Sequence, residues 1–130
     1  MEKINIIVVG ASGKMGQAII KETLDDSDLN LAMAVDIKTS PRIGKDAGEL
    51  LGFESNIKIS SDLIVDKAQP DILIDFTRPE ASMKYLEFCE KNHERVPDLL
   101  LCKRFLRCPY LGTLSWSCSV PQNLYLFIMF

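Results

Sequence analysis

Residues 8–20 read VVGASGKMGQAII, with glycines at positions 10, 13 and 16 between an apolar run and a stretch of helical spacing. Glycine loses more backbone freedom on folding than any other residue. Three so close together are costly unless main chain must approach something closely or take a positive φ. A strand, a glycine-rich turn and a helix N-terminus in succession make an anion site, because unpaired first-turn N–H groups point outward and the helix dipole adds positive potential. In a dinucleotide-binding unit the first glycine permits the turn, the second lets backbone approach the pyrophosphate, and the third lets the helix pack against the strand. The spacing here is G-x-x-G-x-x-G, a variant of the commoner G-x-G-x-x-G. It follows a strand, opens a helix and lies near the N-terminus, the context in which such a motif carries weight.

Two further stretches fit the same reading. Asp36 closes the segment NLAMAVD, 20 residues beyond Gly16. An acid at the end of the second strand accepts hydrogen bonds from the adenosine ribose hydroxyls, and its charge repels a 2′-phosphate, favouring NAD over NADP. Lys38, two residues on, and Lys14, beside the turn, supply positive charge that suits a 2′-phosphate, so both NADH and NADPH stay open as cofactors. In DFTRPE (75–80), Phe76, Thr77 and Arg78 follow a strand. Parallel strands all point one way, so that strand ends on the same edge as the glycine turn, where ligands bind in such sheets. Arg78 there can pair with a phosphate or an anionic substrate.

The first 93 residues alternate strand-like and helix-like segments. INIIVVG (4–10) and DILIDFT (71–77) are short apolar, β-branched runs, the pattern of strands buried on both faces. NLAMAVD (30–36) is a second strand and IKIS (57–60) a weaker third. A helix is predicted from Lys14 to about Asp26, with Met15, Ala18, Ile19 and Thr23–Leu24 at helical spacing, and a short helix over 61–68, capped by Ser61. A further helix follows Thr77: Thr77 and Glu80 have capping-box spacing, and Pro79 sits in the first turn where its missing N–H does no harm. Such alternation predicts βαβ units and a parallel sheet covered on both faces. The fold expected is α/β, a Rossmann-like doubly wound parallel sheet, incomplete and ending in an atypical tail. IGKDAGELLG (43–52) reads as a loop with a short helical turn and no specific task.

After His93 the character changes. The first 93 residues carry 16 acids and 11 bases, whereas residues 94–130 carry two acids and four bases, three of the four cysteines and the only tryptophan. VPDLLLC suggests a strand, and the remainder shows no sustained period and no capped helix. The division expected is a dinucleotide-binding front part at 1–93 and an aberrant or poorly ordered tail at 94–130.

Composition removes several function classes. The net charge of −3 leaves no basic footprint for nucleic acid, and no apolar run approaches the ~20 residues that span a bilayer. Glu2, Asn5 and the early glycines argue against a signal peptide, so the expectation is a cytoplasmic protein with reduced thiols. Cysteines 89, 102, 108 and 118 are too loosely spaced for a zinc site. Cys89 and His93 lie four apart on a helix, a spacing that suits two ligands, but a buried thiol and a polar helix end account for them more simply. No metal site and no catalytic residue is assigned.

Taken in order and spacing, VVGASGKMG, IGKDAGELLG and DFTRPEASMKYLEFC closely resemble the front of 4-hydroxy-tetrahydrodipicolinate reductase (dihydrodipicolinate reductase) over about residues 1–93. The resemblance implies NADH- or NADPH-dependent reduction of a cyclic dicarboxylate, 4-hydroxy-tetrahydrodipicolinate, in lysine and diaminopimelate synthesis. By position, Gly10, Ala11, Gly13, Lys14, Met15 and Gly16 then resemble the cofactor turn. Asp36, with Lys38 nearby, resembles the ribose site, and Phe76, Thr77 and Arg78 the segment beside the nicotinamide. The family continues into a G-T-T-G loop and a second domain with a His-His-x-x-Lys catalytic segment and a substrate-gripping glycine–threonine loop, through which it forms homotetramers. None of these motifs occurs here, and His93, the sole histidine, lies on the cofactor-domain helix. The tail from Glu94 matches nothing in the family and suggests an out-of-frame end. The chain is therefore expected to supply only the cofactor-binding part. The alternative is a non-catalytic NAD(P)-binding module or an inactive truncated fragment.

Overall fold

Alternation along β1 (Ile4–Val9) shows how the sheet is built. Ile6 and Val8 are buried in one apolar cluster, Ile7 and Val9 in another, so each face of the strand is covered. The computed structural model describes residues 2–65 and 70–92, and the backbone of residues 98–101 and 125–128. β1 pairs in parallel with β2 (Leu29–Val35) on one side and with β4 (Ile72–Asp75) on the other. A two-residue β3 (Ile59–Ser60) lies outside β2, while β5 (Asp98–Leu101) and β6 (Tyr125–Ile128) extend the sheet beyond β4. The strand order is β3-β2-β1-β4-β5-β6, and every neighbour is parallel. This is a Rossmann-like doubly wound sheet, whose order reverses direction between β1 and β4.

The strand expected in VPDLLLC is present as β5, and β6 lies in a stretch where the sequence shows no period. IKIS forms only the short β3, with an isolated antiparallel bridge between Asp46 and Lys58 before it. The short helix expected at 61–68 does not form over its first half: residues 63–65 have no regular structure, and 66–69 lie outside the described residues. Val65 instead drops into the apolar cluster beside Leu73 and Cys89.

The two helices cover opposite faces. Helix α1 (Lys14–Asp25) sends Ile20 into the cluster of Ile6, Val8, Ala34 and Ile74. Helix α2 (Pro79–Lys91) sends Cys89 into the cluster of Ile7, Val9, Val35 and Leu73. Each large side chain so buried contributes roughly 1.5–3 kcal/mol of transfer free energy. The register of β1 on β2 slips between Ile6 and Ile7, which face Leu31 and Met33. Ala32 is the extra residue, and this bulge turns Leu31 to the α1 side while Met33 and Val35 pack on the α2 side.

The buried stripe of α1 matches the predicted one in part: of the residues expected to face inward, Thr23 is buried and Ile19 and Leu24 pack against the α1-side cluster. Gly16, Ile20 and Thr23 are buried, whereas Met15 is 49% exposed and Ala18 is exposed. Close packing at Gly16 sets this rotation. At the other helix, the capping box is displaced by one residue. Arg78 is the N-cap of α2 and makes no side-chain capping bond, and the Thr77 hydroxyl is engaged by Asp75. Pro79 does open the helix, as expected.

Candidate nucleotide-binding site

At the end of β1 the chain turns through Gly10, whose φ is +79°, a region that side chains rarely adopt. Both Gly10 and Ala11 donate their amides to the Val35 carbonyl, at 2.8 and 3.1 Å, which ties the turn to the end of β2. The Gly13 amide donates back to the Gly10 carbonyl at 3.1 Å. Gly13 is also the N-cap of α1 and offers no side-chain cap. A Cβ at Gly16 would overlap the Gly10 carbonyl oxygen and meet the Ala11 Cα at 3.0 Å. Gly16 is therefore the residue that lets helix and strand come together, as its place in the motif predicts.

These bonds sort the amides of the turn. Those of Gly10, Ala11 and Gly13 are taken up by carbonyls, and Ala11 is fully buried. The amides of Ser12, Lys14, Met15 and Gly16 have no protein acceptor among the described residues, and the latter three belong to the first turn, which a helix leaves unpaired. No acidic side chain stands in that turn, and the Lys14 and Met15 side chains are exposed. The arrangement offers an anion several N–H donors at the positive end of a helix, with no carboxylate competing for them.

Asp36 follows β2 directly, on one flank of the turn. It is partly exposed; its amide donates to the Ser60 carbonyl at 2.9 Å, and its Oδ1 accepts the Ile37 amide at 2.9 Å. Lys38 is exposed two residues on. The Ser12 and Ser40 hydroxyls meet at 3.2 Å, joining the glycine turn to the loop behind Asp36. On the other flank, Phe76, Thr77 and Arg78 follow β4. Phe76 packs against the α1-side cluster, the Thr77 methyl would lie 3.1 Å from a Cβ at Gly10, and Arg78 is exposed. The topology thus brings the three segments singled out in the sequence to one sheet edge, at the switch point.

Three features of this edge go beyond the sequence reading. Gln17 donates through Nε2 to the Ala11 carbonyl at 2.6 Å, bracing the turn from within the helix. The Ser12–Ser40 contact has no local sequence signal, because its partners are 28 residues apart. Asp75 is fully buried, and its Oδ1 accepts both the amide and the hydroxyl of Thr77, at 2.8 and 2.6 Å. An acid ending an apolar run two residues before a threonine is the signature of this kind of turn, and it was there to be read. Burial, then the charges of Asp75 and Asp36, push the Tyr85 hydroxyl above its usual range. Burial and the Asp75 charge likewise push the Cys89 thiol up to about 12. Among the described residues no group of histidine, cysteine and carboxylate side chains could hold a metal ion, and His93 lies outside those residues.

Comparison with known proteins addresses the same segment. Residues 4–96 match the family model described as dihydrodipicolinate reductase, N-terminus. The chain belongs to this family. A 4-hydroxy-tetrahydrodipicolinate reductase of Herminiimonas arsenicoxydans is 49% identical over 89 residues, covering 68% of this chain and 33% of the relative. Another from Janthinobacterium sp. (strain Marseille) is 43% identical over 96 residues, covering 74% of this chain and 36% of the relative. The chain thus matches about a third of the length of these curated relatives. Among solved structures, a Rex-family repressor superposes with a TM-score of 0.65 at 17% identity, covering 99% of this chain and 54% of that one. A dipicolinate-bound dihydrodipicolinate reductase from Paenisporosarcina sp. TG-14 gives 0.56 at 20% identity, covering 78% and 37%. Both share the Rossmann-like fold. Among the described residues, no helix is long and apolar enough to cross a membrane.

Proposed function

We propose that this chain is the NAD(P)H-binding part of a 4-hydroxy-tetrahydrodipicolinate reductase. The observation that carries the reading is the glycine turn. Its amides at Ser12, Lys14, Met15 and Gly16, without an acceptor among the described residues, open where Gly16 allows α1 to meet β1, and they fit a diphosphate. Asp36 suits the adenosine ribose on the β2 flank, and Lys38 or Lys14 suits a 2′-phosphate when one is present. Phe76, Thr77 and Arg78 on the β4 flank then border the nicotinamide half. Gly10, Ala11 and Gly13 act as scaffold of the turn, since their own amides are spent internally.

When bound, the nicotinamide supplies the hydride for reduction of the cyclic dicarboxylate. What this chain contributes is orientation: the pyrophosphate on the first turn of α1, the ribose on Asp36, and the reduced ring toward the end of β4. Positioning of substrate and delivery of a proton fall to groups outside these residues, because the sequence holds a single histidine, His93, and no His-His-x-x-Lys segment. The segment 94–130 has no assigned part in the chemistry. A soluble, cytoplasmic location fits this reading.

Titration of the purified chain with NADH and NADPH, followed by nicotinamide fluorescence, tests the proposal. Saturable binding by folded protein, with no reductase turnover, is the expected result. A folded chain that binds neither nucleotide refutes the cofactor assignment. Turnover by the 130-residue chain alone refutes the claim that it supplies only the cofactor part.

A further inference from the structure

Asp75 ends β4 between apolar neighbours and is fully buried. A carboxyl group removed from water normally has all its oxygens hydrogen-bonded, since an unsatisfied one retains the full cost of desolvation. Here Oδ1 accepts two hydrogen bonds from Thr77, and Oδ2 is buried with no partner among the described residues. Val9, directly across the ladder from Asp75, fills the equivalent place on β1 with an apolar side chain and no such cost. Stability alone therefore does not account for an acid at this position. What the acid provides, and an apolar residue would not, is the tight turn over 75–77.

That turn reaches the glycine motif. It brings the Thr77 Cγ2 within 3.1 Å of where a Gly10 Cβ would stand, with the Thr77 amide nitrogen and the Phe76 carbonyl carbon at 3.9 Å. Ser82 of α2 adds a hydroxyl 3.4 Å from the Thr77 Oγ1. Asp36 stands across β1 on the opposite flank, so the adenosine half and the β4 half of the crevice are held by different residues.

We propose that Asp75 is a positioning residue for the nicotinamide half of the site, acting through Thr77, whose amide and hydroxyl it binds and whose methyl it thereby holds against the glycine turn. This rests on the nucleotide-binding reading above. It concerns the β4 flank alone, which makes the two separable.

The test compares NADH with ADP, which carries the adenosine and diphosphate groups but no nicotinamide, on the full chain and three variants whose fold is checked by circular dichroism. Asp75→Ala weakens NADH about tenfold and ADP by less than about twofold, the loss of a buried hydrogen-bonded pair on one flank. Asp75→Asn keeps an oxygen acceptor for Thr77 and recovers NADH affinity to within about threefold of wild type. Thr77→Val deletes one of the two donors without altering the carboxyl and gives a loss of about threefold, confined to NADH. Unchanged NADH affinity in Asp75→Ala overturns the proposal, as does an equal loss of NADH and ADP, which a purely structural role would give. If Asp75→Ala does not fold, Thr77→Val decides: an NADH-selective loss upholds the proposal and wild-type affinity overturns it. Failure of the folded wild-type chain to bind either nucleotide overturns the underlying reading and this proposal with it. Insensitive variants of a chain that binds NADH overturn this proposal alone.

Discussion

Gly16 is the residue at which backbone geometry meets the proposed binding of nucleotide. An alanine there drives its Cβ into the Gly10 carbonyl and against the Ala11 Cα, both of them main chain that cannot rotate away. Gly16→Ala is expected to destabilise the chain by about 1–3 kcal/mol, the range for overpacking, as measured by urea unfolding. NADH affinity should fall with it, because the first turn of α1 must move. Asp36 makes a prediction of opposite character, affecting selectivity with little effect on folding. Asp36→Ala should weaken NADH about tenfold while leaving NADPH equal or tighter, since the ribose hydroxyls lose an acceptor and a 2′-phosphate loses a repelling charge. The two nucleotides titrated side by side check this. Cys89, buried on α2, has its thiol pushed up to about 12 by burial and the Asp75 charge. Iodoacetamide at pH 8 should leave its peptide unmodified in mass spectra of folded protein and label it once urea unfolds the chain. Because the neutral thiol is favoured only in the folded state, its contribution is complete below the ordinary value of 9.0 and is lost as pH rises toward about 12.

Among the elements, the loop between β2 and β3 contains order that sequence periodicity does not reveal. IGKDAGELLG forms a loop with a single 3-10 turn at Glu49–Leu51, as expected, but Asp46 organises it. Its Oδ1 accepts the Gly48 amide at 2.7 Å, the Ser55 amide at 3.0 Å and the Ser55 hydroxyl at 2.8 Å. Desolvation pushes the Asp46 carboxyl up, but the Ser55, Gly48 and Asn56 hydrogen bonds together outweigh it and hold the group below its ordinary 3.8. A carboxylate depressed on folding stabilises the native state above the unfolded value and loses that contribution as pH falls through the folded one. Wild-type stability should therefore drop below about pH 4, and Asp46→Ala, costing about 2 kcal/mol at pH 7, should show a shallower acid dependence in urea melts. The start of α2 illustrates a complementary limit. The Thr77–Glu80 spacing read as a capping box, yet the Thr77 hydroxyl goes to Asp75 and the helix begins one residue later than that box requires. Two local motifs compete for one hydroxyl, and the tertiary contact with Gly10 goes with the tighter turn.

For the molecule as a whole, the site depends on the sheet's reversal of order. β1 lies between β2 and β4, so Asp36 and Thr77 flank the glycine turn from opposite sides although they are 41 positions apart in the sequence. A ligand lying across the switch point bridges the ends of β2 and β4 on either side of β1. NADH at ten times its wild-type dissociation constant should therefore stabilise the chain by about 1.4 kcal/mol, read as a rise in thermal midpoint that shrinks in Gly16→Ala at the same NADH concentration.

Sequence alone determined the parallel α/β character, the strand–turn–helix unit and the three segments of the candidate site, because each depends on contacts within a few residues: periodicity of two or 3.6, a positive φ, a strand ending in an acid. The bulge at Ala32, the rotation of α1 about Gly16 and the pairing of β6 with β5 belonged to tertiary structure. Each depends on what a residue meets across the sheet or from another element, and the packing of close neighbours, unlike a repeat along the chain, has no period to read.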